Sequence, residues 1–292
     1  ATFMREWLSL YDSKSGERGI FNREAADKQV ARNGRRETGH MWGTNPCSEI
    51  ILRPYQFCNL SEVVVRENDS LDTLKRKVRL ATILGTIQST LTDFKYLRKV
   101  WKHNTEEERL LGVSLTGIMD HSVLSKNIDS RRWLEEMRDT AVETNETYSK
   151  TLGIPQSAAI TCVKPSGTVS QLVDAASGIH ARHSEHYIRT VRGDSKDPLT
   201  QFLIDSGVPA ERDVMKPESV TVFSFPMKSP TGAVMRTDTT AIEQLELWKT
   251  YAIHWCEHKP SITVTVKEDE WMDVGAWVYA NFDVASGVFF FF

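Results

Sequence analysis

The sequence contains little cysteine: its 292 residues include four, Cys47, Cys58, Cys162 and Cys256. They are too few and too scattered for a disulfide scaffold. The start of the sequence, ATFMREWLSLYD, also lacks the basic region and short apolar run of a secretion signal. We therefore expect free thiols and a cytoplasmic protein.

Long apolar runs and a strong net charge are absent as well. No stretch approaches the roughly 18 consecutive apolar residues that a membrane span needs. Lys and Arg total 36 and Asp and Glu total 39, a formal net charge of −3, so we expect neither a nucleic acid nor a membrane as a partner. The nearest basic cluster, Arg32, Arg35 and Arg36, lies beside acidic residues and predicts a solvated loop.

Helical and strand-like patterns alternate along the sequence. This alternation predicts an α/β fold with a mainly parallel sheet, and one domain over residues 1–292. Residues 13–19 are predicted to form a turn, and the polar stretch 23–40 to wrap the surface without a clear strand. Helices are predicted over about 2–11, 71–91, from 106 onwards, 130–152, 241–256 and 270–280, and strands over 158–163, 220–225, 261–266 and at the C-terminal end.

The most informative motif is TNPCSEI, Thr44 to Ile50. In an extended segment, residues i and i+2 point to the same side, so Asn45, Cys47 and Glu49 are predicted to converge on one small ligand. Pro46 stiffens the loop by fixing its φ angle. Cys58 follows eleven residues after Cys47, past a turn, so that two thiols could work in sequence. A buried cysteine that acts only as a small hydrophobic residue is the alternative.

A second motif is KPSGTVS, Lys164 to Ser170, directly after a predicted strand. A strand followed by such a turn and a helix presents free backbone N–H groups, which suit a phosphate. Pro165 is tolerated where no N–H is needed. An ordinary helix start capped by Ser166 fits the pattern equally well, and neither usual nucleotide fingerprint is present.

The remaining polar clusters are predicted to be structural. His180, His183 and His186 recur every three residues, but no other strong ligands stand beside them. Hydrogen-bonding or surface histidines are therefore favoured over a metal site, and no metal is expected. Cys162 and Cys256 are predicted to be small buried residues.

Taken in order, these motifs resemble the ribonucleotide reductases. NPCSE followed by CNL is similar to their active-site loop, and GERGIFNREAA upstream and PSGTVS downstream resemble the same family. The resemblance extends over essentially the whole sequence. It implies an α/β barrel with a central loop that carries the radical cysteine, and a chain that contains part of that catalytic barrel domain over residues 1–292.

The resemblance also implies roles for individual residues. Cys47 matches the cysteine that becomes a thiyl radical, Glu49 the general base on the 3′ hydroxyl, and Asn45 the amide that hydrogen-bonds to the substrate. Cys58 matches one member of the thiol pair that ends as a disulfide. The substrate's phosphates are expected at a segment whose residues are Pro165, Ser166, Gly167, Thr168, Val169 and Ser170.

The class of reductase is indicated by the predicted strand near the end of the sequence, which lacks a pair of tyrosines. Reductases that import a radical from a partner subunit carry adjacent tyrosines there, and Ser261 to Val266 contains none. The run WCEHKPSITVTVKEDEW resembles the adenosylcobalamin-dependent class, in its monomeric branch that reduces ribonucleoside triphosphates. Adenosylcobalamin is therefore the expected cofactor, and thioredoxin or a similar dithiol the expected reductant. The alternatives are a partner-dependent large subunit, a half of a split reductase, and a decayed remnant that only binds nucleotide.

Other parts of the family's pattern are not found in this sequence. The cysteine expected to pair with Cys58, the allosteric nucleotide region and the C-terminal cysteine pair are missing. Four phenylalanines stand at the end, where the family has a GVSFLP-like run. We therefore expect an internal piece of a longer chain or one polypeptide of a split protein. Alone, it is expected to turn over poorly, and a second polypeptide is expected to supply the missing parts.

Overall fold

The computed structural model describes residues 2–13 and 19–291, in two compact units. The large unit comprises Ala1–Ala181 and Gly232–Phe292, and the small unit comprises Arg182–Thr231. Most of the predicted turn over 13–19, the start of GERGIFNREAA and Phe292 lie outside the described residues. That residues 1–292 belong to one barrel domain stays a prediction.

The described residues alternate helices with short strands. The helices are α1 (Thr2–Ser13), α2 (Arg23–Ala31), α3 (Leu71–Gln88), α4 (Lys99–Glu108), α5 (Ser130–Leu152), α6 (Val169–Leu172), α7 (Pro198–Asp205), α8 (Ala241–His254) and α9 (Trp271–Ala280). The strands are β1 (Gly19–Phe21), β2 (Gly43–Thr44), β3 (Ile51–Leu52), β4 (Asn59–Val64), β5 (Leu111–Thr116), β6 (His186–Asp194), β7 (Ala210–Arg212), β8 (Val220–Lys228), β9 (Thr263–Thr265) and β10 (Gly287–Phe291). None of the described helices is long and apolar enough to cross a bilayer.

A series of parallel strands forms the centre of the large unit. β4 pairs in parallel with β5, and a parallel bridge between Val113 and Thr161 places the next segment beside β5. A bridge between Val163 and Pro260 then joins that segment to the residues that lead into β9. β9 pairs in parallel with β10, and β1 adds to β10 in antiparallel orientation. The predicted α/β fold with a mainly parallel sheet is confirmed for this unit.

Helices make the crossovers that parallel neighbours require. α3 and α4 connect β4 to β5, and α9 connects β9 to β10. Local sequence starts two of the long helices: the Ser70 hydroxyl accepts a hydrogen bond from the Thr73 N–H, and Thr240 and Glu243 form a capping box at α8. Apolar faces then pack these helices on the sheet, around a core that includes Trp7, Val113, Leu134, Trp248, Tyr251, Trp255, Trp271 and Phe290.

The small unit is an antiparallel sheet in the order β6–β8–β7, with α7 between β6 and β7. The predicted strand at 220–225 is confirmed as part of β8. The sequence analysis did not predict β6, although β6 pairs with β8 over its whole length, from His186–Lys228 to Asp194–Val220. No residue of β6 is fully buried, so its apolar alternation is weak.

The longest predicted elements are confirmed, and two predictions are wrong. α3, α5, α8, α9, β9 and β10 lie where the sequence analysis places helices and strands. The polar stretch 23–40 contains α2, whose Ala26 and Val30 are buried. A helix ends rather than begins near Glu106, because α4 covers Lys99–Glu108. β5 follows it and was missed because all six of its residues are buried, which removes the alternation of a half-exposed strand.

The arginine cluster lies in a loop, as predicted, but Arg36 is buried, which corrects the prediction that the loop is solvated. Arg36 is 5% exposed, and its guanidinium lies 2.9 Å from the carboxylate of Glu108 at the end of α4. The same guanidinium donates to the carbonyl of Ile51 at 2.9 Å and to the side chain of Gln56 at 3.1 Å. Five donors in a planar fork allow one arginine to satisfy these acceptors together. Arg36 therefore ties β3 to α4.

The other two arginines of the cluster, Arg35 and Arg32, also make contacts within the large unit. Arg35 forms an ion pair of 2.5 Å with Glu257. Arg32 donates to the carbonyls of Ala252 and Ile253 at 3.0 and 2.7 Å, at the C-terminal end of α8. A cation at this end of a helix is favourable because the last carbonyls lack partners and carry partial negative charge. The sequence pattern alone gave no sign of these distant acceptors.

Replacing Arg36 with methionine is expected to destabilise the fold strongly. The substitution leaves the Glu108 carboxylate buried without its cation, a change that costs about 3–5 kcal/mol when one partner of a buried pair is removed. The matched control is Arg132→Met, because Arg132 is 76% exposed and lies 3.8 Å from Glu136. An exposed pair of this kind contributes ~0–1 kcal/mol. Urea unfolding of both variants measures the two free energies, and equal values would contradict this account of Arg36.

Candidate active site

Cys47 lies in the loop of a short hairpin. β2 and β3 pair in antiparallel orientation, with Gly43 opposite Leu52 and Thr44 opposite Ile51. Inside the loop, the Ser48 N–H donates to the Asn45 carbonyl at 2.9 Å, and Ser48 has a φ of 67°. The loop is therefore a tight turn. The prediction that its residues converge because the segment is extended is wrong, since the backbone reverses between Asn45 and Ser48.

The Asn45 side chain helps to shape this loop. Its oxygen accepts a hydrogen bond from the Ile50 N–H at 3.0 Å. Within the described part of the chain, its amide nitrogen makes no hydrogen bond. One half of the amide thus holds the loop, while the other half keeps two donors available for a ligand.

Cys47 and Glu49 lie in opposite environments. The Cys47 side chain is exposed, whereas Glu49 is 0% exposed and neither of its carboxylate oxygens has a hydrogen-bond partner. A buried carboxylate without donors is costly, so such a group is typical of a site that a ligand completes. Partial burial raises the pKa of the Cys47 thiol, Glu49 raises it further, and Lys164 opposes both. Cys47 is therefore held as a thiol with its proton.

Residues shortly before β9 hold the loop from beneath. The Ser261 hydroxyl donates to the Cys47 carbonyl at 2.5 Å, and the Lys259 N–H donates to the Glu49 carbonyl at 3.2 Å. This support could not be predicted from the sequence, because the contacts join positions more than 200 residues apart. Only the short run HKPS between α8 and β9 could have drawn notice.

His258 holds the second strand of the hairpin. Burial, and then the nearby Arg36, lower the pKa of His258 to about 3, so the ring is neutral. The Ile51 N–H donates to Nδ1 at 3.3 Å, which leaves the proton on Nε2. Nε2 then donates to the Leu111 carbonyl on β5 at 3.0 Å. The imidazole thereby bridges β3 and β5.

Cys58 stands directly before β4 and is half-buried. It packs beside a small cluster of Leu110, Ala158 and Ala159. Burial raises the pKa of its thiol strongly, and Glu49 adds to this effect against the opposing Arg36. Since Glu49 acts on both the Cys47 and the Cys58 thiols, the structure brings the two cysteines and this carboxylate into one neighbourhood.

The KPSGTVS segment forms a turn before α6. Ser166 is buried, and its hydroxyl donates to Glu62 on β4 at 2.7 Å and accepts from the Ser170 N–H at 3.2 Å. Ser166 is not the cap that the sequence predicts, because the N-cap position of α6 is Thr168, which makes no side-chain cap hydrogen bond. Gly167 and Thr168 are exposed.

The exposed part of this turn offers free donors. Among the described residues, the N–H groups of Thr168 and Val169 have no hydrogen-bond partner, whereas the Gly167 N–H donates to the Pro165 carbonyl at 3.1 Å. In this segment two buried serines hold the shape of the turn, and two unpaired N–H groups can donate hydrogen bonds to an anion.

Glu62 and Lys164 link this turn to the cysteine loop. Burial raises the pKa of Glu62, while the Ser166 hydrogen bond and Lys164 lower it. Lys164 also acts on the Cys47 thiol. One lysine therefore lies within electrostatic reach of both candidate parts of the site, and the sequence analysis assigned neither Glu62 nor Lys164 to it.

Two of the three histidines make hydrogen bonds to neighbouring groups. The Thr263 N–H donates to His180 Nε2 at 3.0 Å, so Nδ1 carries the proton and donates to the Ser177 carbonyl at 3.0 Å. The His183 ring is 2.8 Å from the Ser184 hydroxyl. Over residues 2–13 and 19–291, no group of three or more His, Cys, Asp or Glu side chains could hold a metal ion. Cys162 and Cys256 are both buried, as predicted.

Comparison with known proteins gives one consistent family. No protein-family model matches the sequence. The chain is 30% identical over 226 residues to an adenosylcobalamin-dependent ribonucleoside-triphosphate reductase of Euglena gracilis, an alignment that covers 76% of this chain and 30% of the relative. It is 28% identical to the enzyme of the same name from Lactobacillus leichmannii, over 80% of this chain and 35% of the relative. The chain thus spans about a third of the length of the curated relatives it matches.

Solved structures give the same fold. A B12-dependent, class II ribonucleotide reductase superposes on 85% of this chain, and on 38% of its own, with a TM-score of 0.73 and 23% identity. The alpha subunit of a class Id ribonucleotide reductase from Actinobacillus ureae superposes on 100% of this chain, and on 61% of its own, with a TM-score of 0.69 and 14% identity. Sequence and fold together identify the chain as a relative of the adenosylcobalamin-dependent ribonucleotide reductases that corresponds to about a third of their length.

Proposed function

We propose that the chain is part of a ribonucleotide reductase that converts ribonucleoside triphosphates to 2′-deoxyribonucleotides for DNA synthesis. The observation that carries the proposal is the exposed Cys47 thiol beside Glu49, whose buried carboxylate has no hydrogen-bond partner. A radical carrier must be reachable, and a base for a sugar hydroxyl must have free lone pairs. Since the chain spans about a third of its relatives, the activity belongs to the intact protein.

In this proposal Cys47 gives up the hydrogen atom of its thiol, takes one from C3′ of the ribose, and returns that hydrogen atom to C3′ after the 2′ carbon has been reduced. Glu49 accepts the proton of the 3′ hydroxyl, and the free Asn45 amide nitrogen donates to the substrate. The raised pKa of Cys47 supports this role, because a thiol that keeps its proton has a hydrogen atom to give. The 2′ hydroxyl takes a proton from the thiol pair described next and leaves as water.

The two electrons for this reduction come from a pair of thiols. Cys58 and a second cysteine outside this chain each lose a hydrogen and form a disulfide, so one ribonucleotide and two thiols give one deoxyribonucleotide, one water and one disulfide. The raised pKa of Cys58 keeps it as a thiol until it reacts. Thioredoxin or a similar dithiol then restores the pair, and a second polypeptide or the rest of the chain supplies the missing cysteine.

The substrate's phosphates are proposed to bind at residues 165–170. The unpaired N–H groups of Thr168 and Val169 support this role, as does the exposure of Gly167 and Thr168. Buried Ser166 and Ser170 hold the turn, and Pro165 contributes its carbonyl to the turn rather than to the ligand.

Adenosylcobalamin is the proposed cofactor, because both curated relatives named above are adenosylcobalamin-dependent. The exposed position of Cys47 fits such a group, since a bulky cofactor can approach its sulfur from outside the loop. Pro46 and Cys47, both exposed at the tip of the loop, are the residues that it would contact. When bound, it supplies the radical that removes the hydrogen atom from the Cys47 thiol.

Replacing Cys47 with serine in the intact protein is expected to abolish reduction of ribonucleoside triphosphates. The O–H bond of serine is too strong for reversible hydrogen exchange with the sugar, so turnover with adenosylcobalamin and a dithiol should fall by at least about a thousandfold. Cys162→Ala is the control, because Cys162 is also a thiol but is buried. Full activity of Cys47→Ser would overturn the assignment.

Turnover by the intact wild type without adenosylcobalamin, but with a radical-generating partner, would favour the partner-dependent class.

Replacing Gly167 with alanine tests the phosphate segment. An added Cβ meets no atom within 4 Å, so the fold has room for it. It would, however, occupy space at the proposed phosphate contact, and we expect KM to rise about tenfold while the unfolding free energy changes by less than ~0.5 kcal/mol. Gly43→Ala, which also has no atom within 4 Å, serves as the control outside the segment. An unchanged KM would remove Gly167 from the binding site.

A further inference from the structure

Lys259 is a buried lysine directly beneath the cysteine loop. It is 1% exposed, and its amine donates to the Ser48 hydroxyl at 2.8 Å. Its backbone N–H donates to the carbonyl of Glu49 at 3.2 Å. Buried amines of this kind are rare because removing an ammonium from water is costly, so its position calls for a specific role.

The pocket around this amine is shaped to hold it. Glu49 from the cysteine loop and Cys256 from the end of α8 are the titratable groups that attract its charge, and the ring of Phe21 on β1 lies 5.4 Å away. On β10, Gly287 leaves room for the amine: a Cβ there would lie 1.9 Å from the lysine nitrogen. Elements distant in sequence thus converge on one side chain.

We propose that Lys259 is a positioning residue, whose amine fixes the Cys47 loop through Ser48 and places a positive charge beside the buried Glu49 carboxylate. The inference rests on the proposed function, in which Cys47 and Glu49 carry the reaction. Lys259 does not reach the substrate in this scheme. It acts through two residues of the loop, Ser48 and Glu49.

The charge of this lysine depends on pH near neutrality. Burial lowers the pKa of Lys259 to about 7, against the opposing attraction of Glu49 and Cys256. Below that pH the ammonium both donates to Ser48 and balances Glu49. Above it the neutral amine still donates, but the positive charge beside Glu49 is lost.

Three variants of the intact protein separate these effects. Lys259→Met removes the donor and the charge, Ser48→Ala removes only the acceptor, and Gly287→Ala drives the amine out of its pocket. Lys249→Met is the matched control, because Lys249 bonds to Asn281 at 2.6 Å rather than to the loop. Two quantities are measured: steady-state kinetics, and hydrogen exchange of the amides in residues 45–50.

Lys259→Met and Gly287→Ala are expected to lower kcat by about 10- to 100-fold with KM changed less than about twofold, since a small displacement of a reacting group has effects of this size. The Ser48 and Ile50 amides are hydrogen-bonded within the loop. Their exchange should accelerate about tenfold or more in all three variants and remain unchanged in Lys249→Met.

The pH profile distinguishes positioning by a charge from a merely structural role. The wild-type kcat should fall as the pH rises through about 7, and this fall should be absent in Lys259→Met and retained in Ser48→Ala. A structural lysine would instead lower kcat by the same factor at every pH. A Lys259→Met variant with wild-type kcat, or with the wild-type pH profile, overturns the inference.

Hydrogen exchange keeps this inference separate from the proposed function, because it needs no turnover. If the intact protein reduces no ribonucleotide but the loop amides exchange faster in the variants, the proposed function fails and the anchoring by Lys259 stands. If the protein is active and the exchange is unchanged, the inference fails alone. Should Lys259→Met not fold, Ser48→Ala and Gly287→Ala decide, and unchanged exchange in both overturns the anchoring role.

Discussion

The contact between the cysteine loop and residues 258–261 is the constraint on which the rest of the site depends. The hairpin of β2 and β3 has only two residue pairs, too few to hold a loop by itself. Backbone and side-chain hydrogen bonds from the segment before β9 supply the missing support. Because that segment is itself bridged to the parallel strands, the central strands of the sheet fix the position of the loop.

Packing on the sheet fixes the loop from the other side. A Cβ on Gly112 of β5 would lie 3.0 Å from Ile50 and 3.3 Å from Cys162, so the end of the loop lies directly on the strand. This close approach leaves Glu49 enclosed without donors of its own. Burial of the Glu49 carboxylate without donors lowers the stability of the fold. Packing in the large aromatic core of the same unit can offset this cost.

Much of the fold could be predicted from sequence, and candidate site residues could be named from it, because both steps rest on local patterns. The capped helices α3 and α8 and the set of Asn45, Cys47 and Glu49 are examples. The geometry of that set could not be predicted, since the positive φ of Ser48 turns a segment that appears extended. Arg36 was misjudged because its burial depends on Glu108, which lies 72 residues away. Lys259 carries no local signal, since its acceptor is 211 residues away.

The distance in sequence between the cysteine loop and Lys259 determines when the two can meet during folding. The loop with Cys47 is synthesised before Lys259, which bonds to that loop from 211 positions later. Contacts of such long sequence range form late, because a long loop must close before they add stability. During synthesis the cysteine loop is therefore left without its support until α8 and β9 have docked. We therefore expect the Cys47 thiol to reach its position in the structure only after these later elements have docked.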